Sequence, residues 1–262
     1  MAETLVSCRT EDGIMVLELN DPPANTYSYE MMQQLDAAIL EARMDDAIHV
    51  LVLRGAGDKF FSAGADIRML AGVTPRFKYY FCLHANETLN RLEQTPKLVI
   101  AALNGHTVGG GFEIAMAADL RVARRDGGKI GLPEVTLGVL PGTGGTQRLA
   151  RLVGPARAIE LLATGRTFPF AEAAALGLVT HVFEPENWWD RVMAYARQFC
   201  PPGKAAKAVG LIKRSVVSGA GIPFLEALAL ERELQQQLFE SADAKEGLNA
   251  YIEKRAPSFK GA

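Results

Sequence analysis

Leu98-Val99-Ile100-Ala101-Ala102-Leu103, running straight into Asn104-Gly105-His106-Thr107-Val108-Gly109-Gly110-Gly111-Phe112-Glu113, is the stretch from which the fold can be read. Six apolar residues in a row fit a strand covered on both faces, as in a sheet with helices packed on either side. Three glycines then precede an apolar, helix-like run, Phe112-Glu113-Ile114-Ala115-Met116-Ala117. The chain therefore enters the helix through three consecutive residues without side chains. The first turn of a helix leaves N–H groups without intrahelical partners, and here nothing stands in the way of a ligand approaching them. The stretch is not a P-loop, because no Gly-Lys-Ser/Thr follows, and it lacks the GxGxxG dinucleotide pattern. Glu113 in that first turn reads equally as a carboxylate favouring the helix dipole and as one available for chemistry.

Working outward, the same strand-to-helix grammar recurs. His49-Val50-Leu51-Val52-Leu53-Arg54 is a second buried strand, and a helical pattern over residues 75–93 lies between the two. Upstream, residues 4–9 and the alternating Ile14-Met15-Val16-Leu17-Glu18-Leu19 read as strands stopped by Asp21-Pro22-Pro23. Met31, Met32, Leu35, Ala38, Ile39 and Ala42 then recur at helical spacing from about Ser28. The order strand, strand, helix, strand, helix, strand, helix describes an α/β layered domain. Near Pro201-Pro202-Gly203 the character changes, and from there to Arg255 only helix is expected, interrupted around residues 219–223 and 241–243. A helical extension this short is expected to pack on the body or on a neighbouring subunit.

Composition narrows the function classes. With 48% hydrophobic residues in 262, the chain can bury a large core without a metal or a disulfide. Lys and Arg number 28 against 30 Asp and Glu, a net charge of −2, which gives no overall basic surface for a nucleic acid. Cys8, Cys82 and Cys200 show no CxxC spacing, as expected in a reducing compartment. His49, His84, His106 and His181 form no metal-spaced pair, so they are read as packed or surface residues, and no metal is expected. The opening MAETLVSCRTEDG has neither an apolar signal core nor Arg-rich transit character, and no apolar run approaches the roughly 20 residues of a membrane span. A soluble, cytoplasmic protein with no membrane partner is the expectation.

Two further segments carry chemical promise. Phe60-Phe61-Ser62-Ala63-Gly64-Ala65-Asp66-Ile67 follows a buried strand, and its small residues admit a ligand to the backbone, with Asp66 suited to cap a helix. A tight turn binding nothing is the alternative. Gly131-Leu132-Pro133-Glu134-Val135-Thr136-Leu137-Gly138-Val139-Leu140-Pro141-Gly142-Thr143-Gly144-Gly145-Thr146-Gln147-Arg148 sets Glu134 in apolar, turn-rich surroundings. A carboxylate there is paired, hydrogen-bonded or shifted in pKa, unless it is a solvated loop residue. Two turns with free N–H donors and two carboxylates are the parts needed to stabilise an enolate and move protons beside it.

In these segments the chain resembles the enoyl-CoA hydratase/isomerase, or crotonase, superfamily. Pro22-Pro23-Ala24-Asn25, Ala63-Gly64-Ala65-Asp66-Ile67, Asn104-Gly105 through Glu113, Leu132-Pro133-Glu134 through Arg148, and Glu253-Lys254-Arg255 carry the likeness in order. The resemblance implies an α/β spiral of repeated β-β-α units. It implies an acyl-CoA-binding core over residues 1–200 and a helical oligomerisation region over 201–262, assembling homotrimers or dimers of trimers. It further implies that Ala65 and Gly110 supply backbone donors to a thioester oxygen and that Glu113 and Glu134 hold the attacking water. Glu113 would act as base toward that water, Glu134 would protonate the α-carbon, and the Gly142 N–H would help position the water. CoA, as part of the substrate and with no separate cofactor, would lie along Ala63, Ala65, Asp66, Ile67 and Arg68. Lys59, Tyr251 and Lys254, the last two from this chain or a neighbour, would reach its adenine and phosphates.

The reaction implied is hydration of a 2-enoyl-CoA to a 3-hydroxyacyl-CoA. Double-bond isomerisation, or hydration of a branched, cyclic or carnitinyl thioester, is the alternative, and a CoA- or RNA-binding module without turnover is a remoter one. Isomerases of the family often use one carboxylate, so the presence of two favours hydration. Three departures stand out. Arg68 occupies a position where many hydratases carry Lys, and the two are not equivalent toward phosphate. The loop Arg124-Arg125-Asp126-Gly127-Gly128-Lys129 sets the glutamates one position further apart than is usual in mitochondrial-type hydratases and is expected to bulge at the surface. Asn25-Thr26-Tyr27-Ser28-Tyr29 replaces the commoner Asn-Ala-Leu, with consequences expected for the CoA or acyl pocket.

Overall fold

The structure, a computed structural model, describes residues 3–262. An antiparallel hairpin, β1 (Val6–Glu11) and β2 (Ile14–Leu19), precedes helix α1 (Tyr29–Met44). Strand β3 (Val50–Gly55), the short β4 (Phe60–Ser62) and helices α2 (Ile67–Gly72) and α3 (Pro75–Gln94) make the next unit. The pattern repeats with β5 (Leu98–Leu103), β6 (His106–Val108) and α4 (Gly110–Met116), and again with β7 (Leu120–Arg124), β8 (Lys129–Gly131) and α5 (Gly145–Val153). Helix α6 (Pro155–Thr164), β9 (Phe168–Pro169), α7 (Phe170–Ala175), β10 (His181–Phe183) and α8 (Trp188–Arg197) complete the body. Helices α9 (Ala206–Gly219), α10 (Phe224–Phe239) and α11 (Ala242–Ile252) follow, broken near the expected places.

The hairpin keeps both strands in one sheet, and from β3 onward the first strand of each β-β-α unit joins that sheet while the second joins another. The larger sheet runs β1-β2-β3-β5-β7-β10 and is parallel from β2 onward, whereas the smaller runs β4-β6-β8-β9. The chain thus winds as the expected β-β-α spiral. The first strand begins two residues later than expected, at Val6, because its register is set by pairing Val6 with Leu19 across the hairpin.

The inner strands of the large sheet, β2, β3 and β5, are buried on both faces, which explains their almost unbroken apolar runs. Ile14, Val16, Val50, Val52, Leu98 and Ile100 face Trp188, Val192, Met193 and Ala196 of α8. Leu17, Leu51, Leu53, Val99, Ala101 and Leu103 face the main core with α1, α3 and α4. Two buried asparagines peg the strand ends that lead to the small sheet. Asn25 donates to the carbonyls of Ala56 (2.9 Å) and Phe60 (3.0 Å), and Asn104 donates to Gly57 (2.7 Å) while accepting from the Gly55 amide (3.0 Å). Gly55 lies so close to the Phe60 and Phe61 carbonyls that any side chain there would collide with them. These contacts fix the path of β4 and the turn that follows it.

The C-terminal helices are anchored to this body through α9. Buried Lys213 sits 2.9 Å from the Asp119 carboxylate and donates to the carbonyls of Leu92 (3.2 Å) and Lys97 (3.0 Å). No helix among the described residues is long and apolar enough to cross a membrane. The loop between β7 and β8 is exposed at Arg125 and Asp126, so the extra residue is absorbed at the surface.

Candidate active site

Two strand-to-helix turns form one wall of a cleft of about 290 Å³. After β4 the Ala63 amide is taken by the Ala24 carbonyl (2.9 Å), and the Tyr27 amide takes the Gly64 carbonyl (2.9 Å). Asp66 caps α2 by accepting from the Arg68 amide at 2.9 Å. Between these commitments the Ala65 amide donates to nothing among the described residues. After β6, Gly109 adopts φ +56 and gives its amide to the Gly131 carbonyl (2.9 Å), and the next amide, Gly110, likewise has no acceptor among the described residues. The two turns are in close contact: a Cβ placed on Gly64, which has φ +88, would stand 2.7 Å from the Gly110 nitrogen. Glycine at 64 satisfies both the left-handed backbone and the close approach.

Glu113 and Glu134 both line this cleft. Glu113 projects from the first turn of α4 and is almost wholly buried, at 2% exposure. One oxygen, Oε1, accepts from the amides of Thr143 (2.7 Å) and Gly145 (2.7 Å). Burial raises its pKa, opposed by those two amides and by the charges of Arg148 and Lys78. Arg148 also braces the loop. It pairs bidentately with Glu93 (2.9 and 2.7 Å) and donates to the Thr143 carbonyl (3.0 Å).

Glu134 comes from a single 3₁₀ turn and is half-buried. Its Oε2 has no hydrogen-bond partner among the described residues, and Oε1 would lie 3.1 Å from a Cβ on Gly109. Burial foremost, with a contribution from the charge of Glu113, pushes its pKa up to about 7. A buried oxygen with no donor of its own is a poor seat for a negative charge, so Glu134 holds its proton far longer than an ordinary glutamate. The cleft therefore sets two backbone donors beside two carboxylates with different support, one anchored by amides and one free to carry a proton.

Of the residues expected at the site, Ala63, Ala65, Ile67, Gly110, Glu113, Glu134 and Gly142 line the cleft together. Lys59, Asp66, Arg68, Tyr251 and Lys254 do not border it. The carboxylate of Asp66 is occupied as a helix cap. Tyr251 is 85% exposed on α11, and Lys254 lies just beyond that helix. Among the described residues no group of three or more His, Cys, Asp or Glu side chains is placed to hold a metal ion. The opposite wall is apolar, with Leu70, Leu137, Val139 and Leu140.

A family profile described as enoyl-CoA hydratase/isomerase matches residues 9–262. The chain belongs to the enoyl-CoA hydratase/isomerase family. The crotonyl-CoA hydratase of Syntrophomonas wolfei is 36% identical over 260 residues, 99% of each chain. The short-chain-enoyl-CoA hydratase of Clostridium acetobutylicum is 37% identical over 246 residues, 94% of this chain and 93% of the relative. The crystal structure of an enoyl-CoA hydratase from Geobacillus kaustophilus superposes with a TM-score of 0.97 at 46% identity, covering 100% of this chain and 98% of that one.

Among the polar side chains lining the cleft of this family member, three had no role from the sequence: Tyr27, Lys78 and Thr143. Thr143 sits inside a stretch already marked as informative, but the bond from its amide to Glu113 joins segments 30 residues apart. Lys78 lies on α3, where helical spacing shows only which residues face the core. For Tyr27 the signal was the departure from Asn-Ala-Leu.

Proposed function

We propose that the chain adds water across the double bond of a 2-enoyl-CoA thioester, giving a 3-hydroxyacyl-CoA. The observation that carries this reading is the presence of Glu113 and Glu134 in one cleft beside the unengaged amides of Ala65 and Gly110. In the proposed mechanism those two amide N–H groups donate to the thioester carbonyl oxygen and stabilise the charge that develops on it. Donors fixed in advance matter here, because losing one costs about 2.7–4 kcal/mol of barrier. Glu113, as carboxylate, takes a proton from water as the oxygen attacks C3, and Glu134 gives its proton to C2. The Gly142 N–H, which donates to nothing among the described residues, helps hold the water. The relatives named for crotonyl-CoA and short-chain enoyl-CoA support an unbranched, short acyl group.

CoA is proposed to run along Ala63, Ala65, Asp66, Ile67 and Arg68, with Lys59 toward its phosphates and no further cofactor. Tyr251 and Lys254 are proposed to serve a neighbouring subunit's CoA in a trimer or a dimer of trimers, built through residues 201–262. Neither borders the cleft of its own chain, and Tyr251 is exposed, which favours that arrangement. Incubation with enoyl-CoAs of graded length, followed by mass analysis, tests the reading. The expected product is heavier by one water. A product of unchanged mass means isomerisation, and no conversion of any chain length contradicts the proposal.

A further inference from the structure

Tyr27 touches both halves of the site. Its ring packs against Gly110 so closely that a methyl group at that position would collide with it. Its hydroxyl lies 2.9 Å from Thr143 Oγ1, and the amide of Thr143 is one of the two that hold Glu113 Oε1. We propose that Tyr27 is a positioning residue for the reaction, keeping the Gly110 amide and the Glu113 carboxylate in register through its ring and its hydrogen bond to Thr143. This inference rests on the hydratase reading given above.

A buried tyrosine is ordinarily just core, and Tyr27 is 2% exposed. Two features set it apart. It borders the cleft itself, as does Thr143. Its hydroxyl also bonds across 116 positions of sequence, to the loop that carries Glu113's donors rather than to its own surroundings. Tyr27 and Thr143 own one hydroxyl proton each and share one hydrogen bond, so one proton remains to be offered to an oxygen in the cleft. The phenol stays protonated: burial first, and then the nearby charge of Glu113, hold its pKa well above the usual range.

The test uses the full chain and crotonyl-CoA, with Tyr27→Phe, Thr143→Val and the double variant. Thr143→Val keeps the backbone N–H that holds Glu113. Each single change is expected to lower kcat about fivefold to tenfold, the worth of one neutral hydrogen bond, with KM moving less than about threefold. The double variant is expected to lose no more than the worse single one, because both remove the same link. Tyr27→Leu removes the ring as well and is expected to lower kcat at least about tenfold further. The acidic limb of the pH profile, which reports Glu113, is expected to shift in Tyr27→Phe, a change that mere loosening of the core does not produce. Losses that multiply in the double variant, or Tyr27→Phe within twofold of the parent in kcat, overturn the proposal. If Tyr27→Phe fails to fold, Thr143→Val at parental kcat overturns it equally. If the parent hydrates no enoyl-CoA, the hydratase reading itself has failed, and Tyr27 is judged on the enolate absorbance of bound acetoacetyl-CoA. Weakening of that band in Tyr27→Phe supports the positioning role, and an unchanged band sinks it.

Discussion

Glu113 and Glu134 share a cleft and differ in what holds them. Two amides fix one oxygen of Glu113, while Glu134 has an oxygen without a partner among the described residues and a pKa raised to about 7. If Glu134 is the acid, kcat/KM for hydration falls as pH rises through about 7, and a pH–rate profile checks this. A flat profile from pH 6 to pH 9 (roughly the window on either side of that value) contradicts the assignment. The same shift bears on stability. The fold binds this proton more tightly than the unfolded chain does, so the group favours folding at low pH. It turns against folding as pH climbs from the ordinary 4.5 to about 7. Glu134→Gln is therefore expected to raise the melting midpoint at pH 8 and leave it nearly unchanged at pH 4. After allowance for screening by the open cleft the gain is about 1 kcal/mol, or 2–4 °C by calorimetry. Glu134 stood out in the sequence because a carboxylate in an apolar run needs an explanation, whereas Glu113 read equally as a partner of the helix dipole, and only the family resemblance joined the two. Tyr27 and Thr143 did not stand out, because an aromatic ring and a hydroxyl in turns have many ordinary uses and their partnership exists only in three dimensions.

At the level of elements, the site depends on how closely α4 enters beside β4. Gly111 faces the Ser62 carbonyl with no room for a methyl group. Gly111→Ala is expected to push α4 from β4, costing about 1–3 kcal/mol and roughly 3–10 °C of thermal midpoint. It should also lower kcat by displacing Gly110 and Glu113 together. An unchanged midpoint and rate contradict this account of the packing. The long elements could be read directly, since α1 and the strands β2, β3 and β5 carry clean periodicity or unbroken apolar runs. Strands β4, β6 and β8 could not, because three residues are too few for alternation to register. The second sheet was therefore available only through the family resemblance. The asparagine pegs at 25 and 104 explain why such short strands keep their places: buried side-chain amides supply hydrogen bonds that a longer ladder would otherwise provide.

Over the whole molecule, the C-terminal helices carry apolar surface outward. Phe224, Leu225, Phe239, Tyr251 and Ile252 are 74%, 77%, 62%, 85% and 76% exposed. A single chain with this much apolar surface on adjoining helices is a candidate for self-association. Light scattering is expected to give three or six times the 28.3 kDa chain mass, and a single-chain mass at micromolar concentration contradicts the proposed assembly. Helical character from Pro201 onward was evident in the sequence. The role of that region was not, since helical spacing marks an apolar face without naming what covers it.

The central claim is that Glu113 and Glu134 act on one substrate from one cleft. Steady-state hydration of crotonyl-CoA by the parent, Glu113→Gln and Glu134→Gln, each checked for native thermal unfolding, tests it most directly. Each variant is expected to lose about 10²–10⁴ in kcat, the range for removal of a positioned acid or base. Either variant turning over at a rate comparable to the parent while correctly folded contradicts the account.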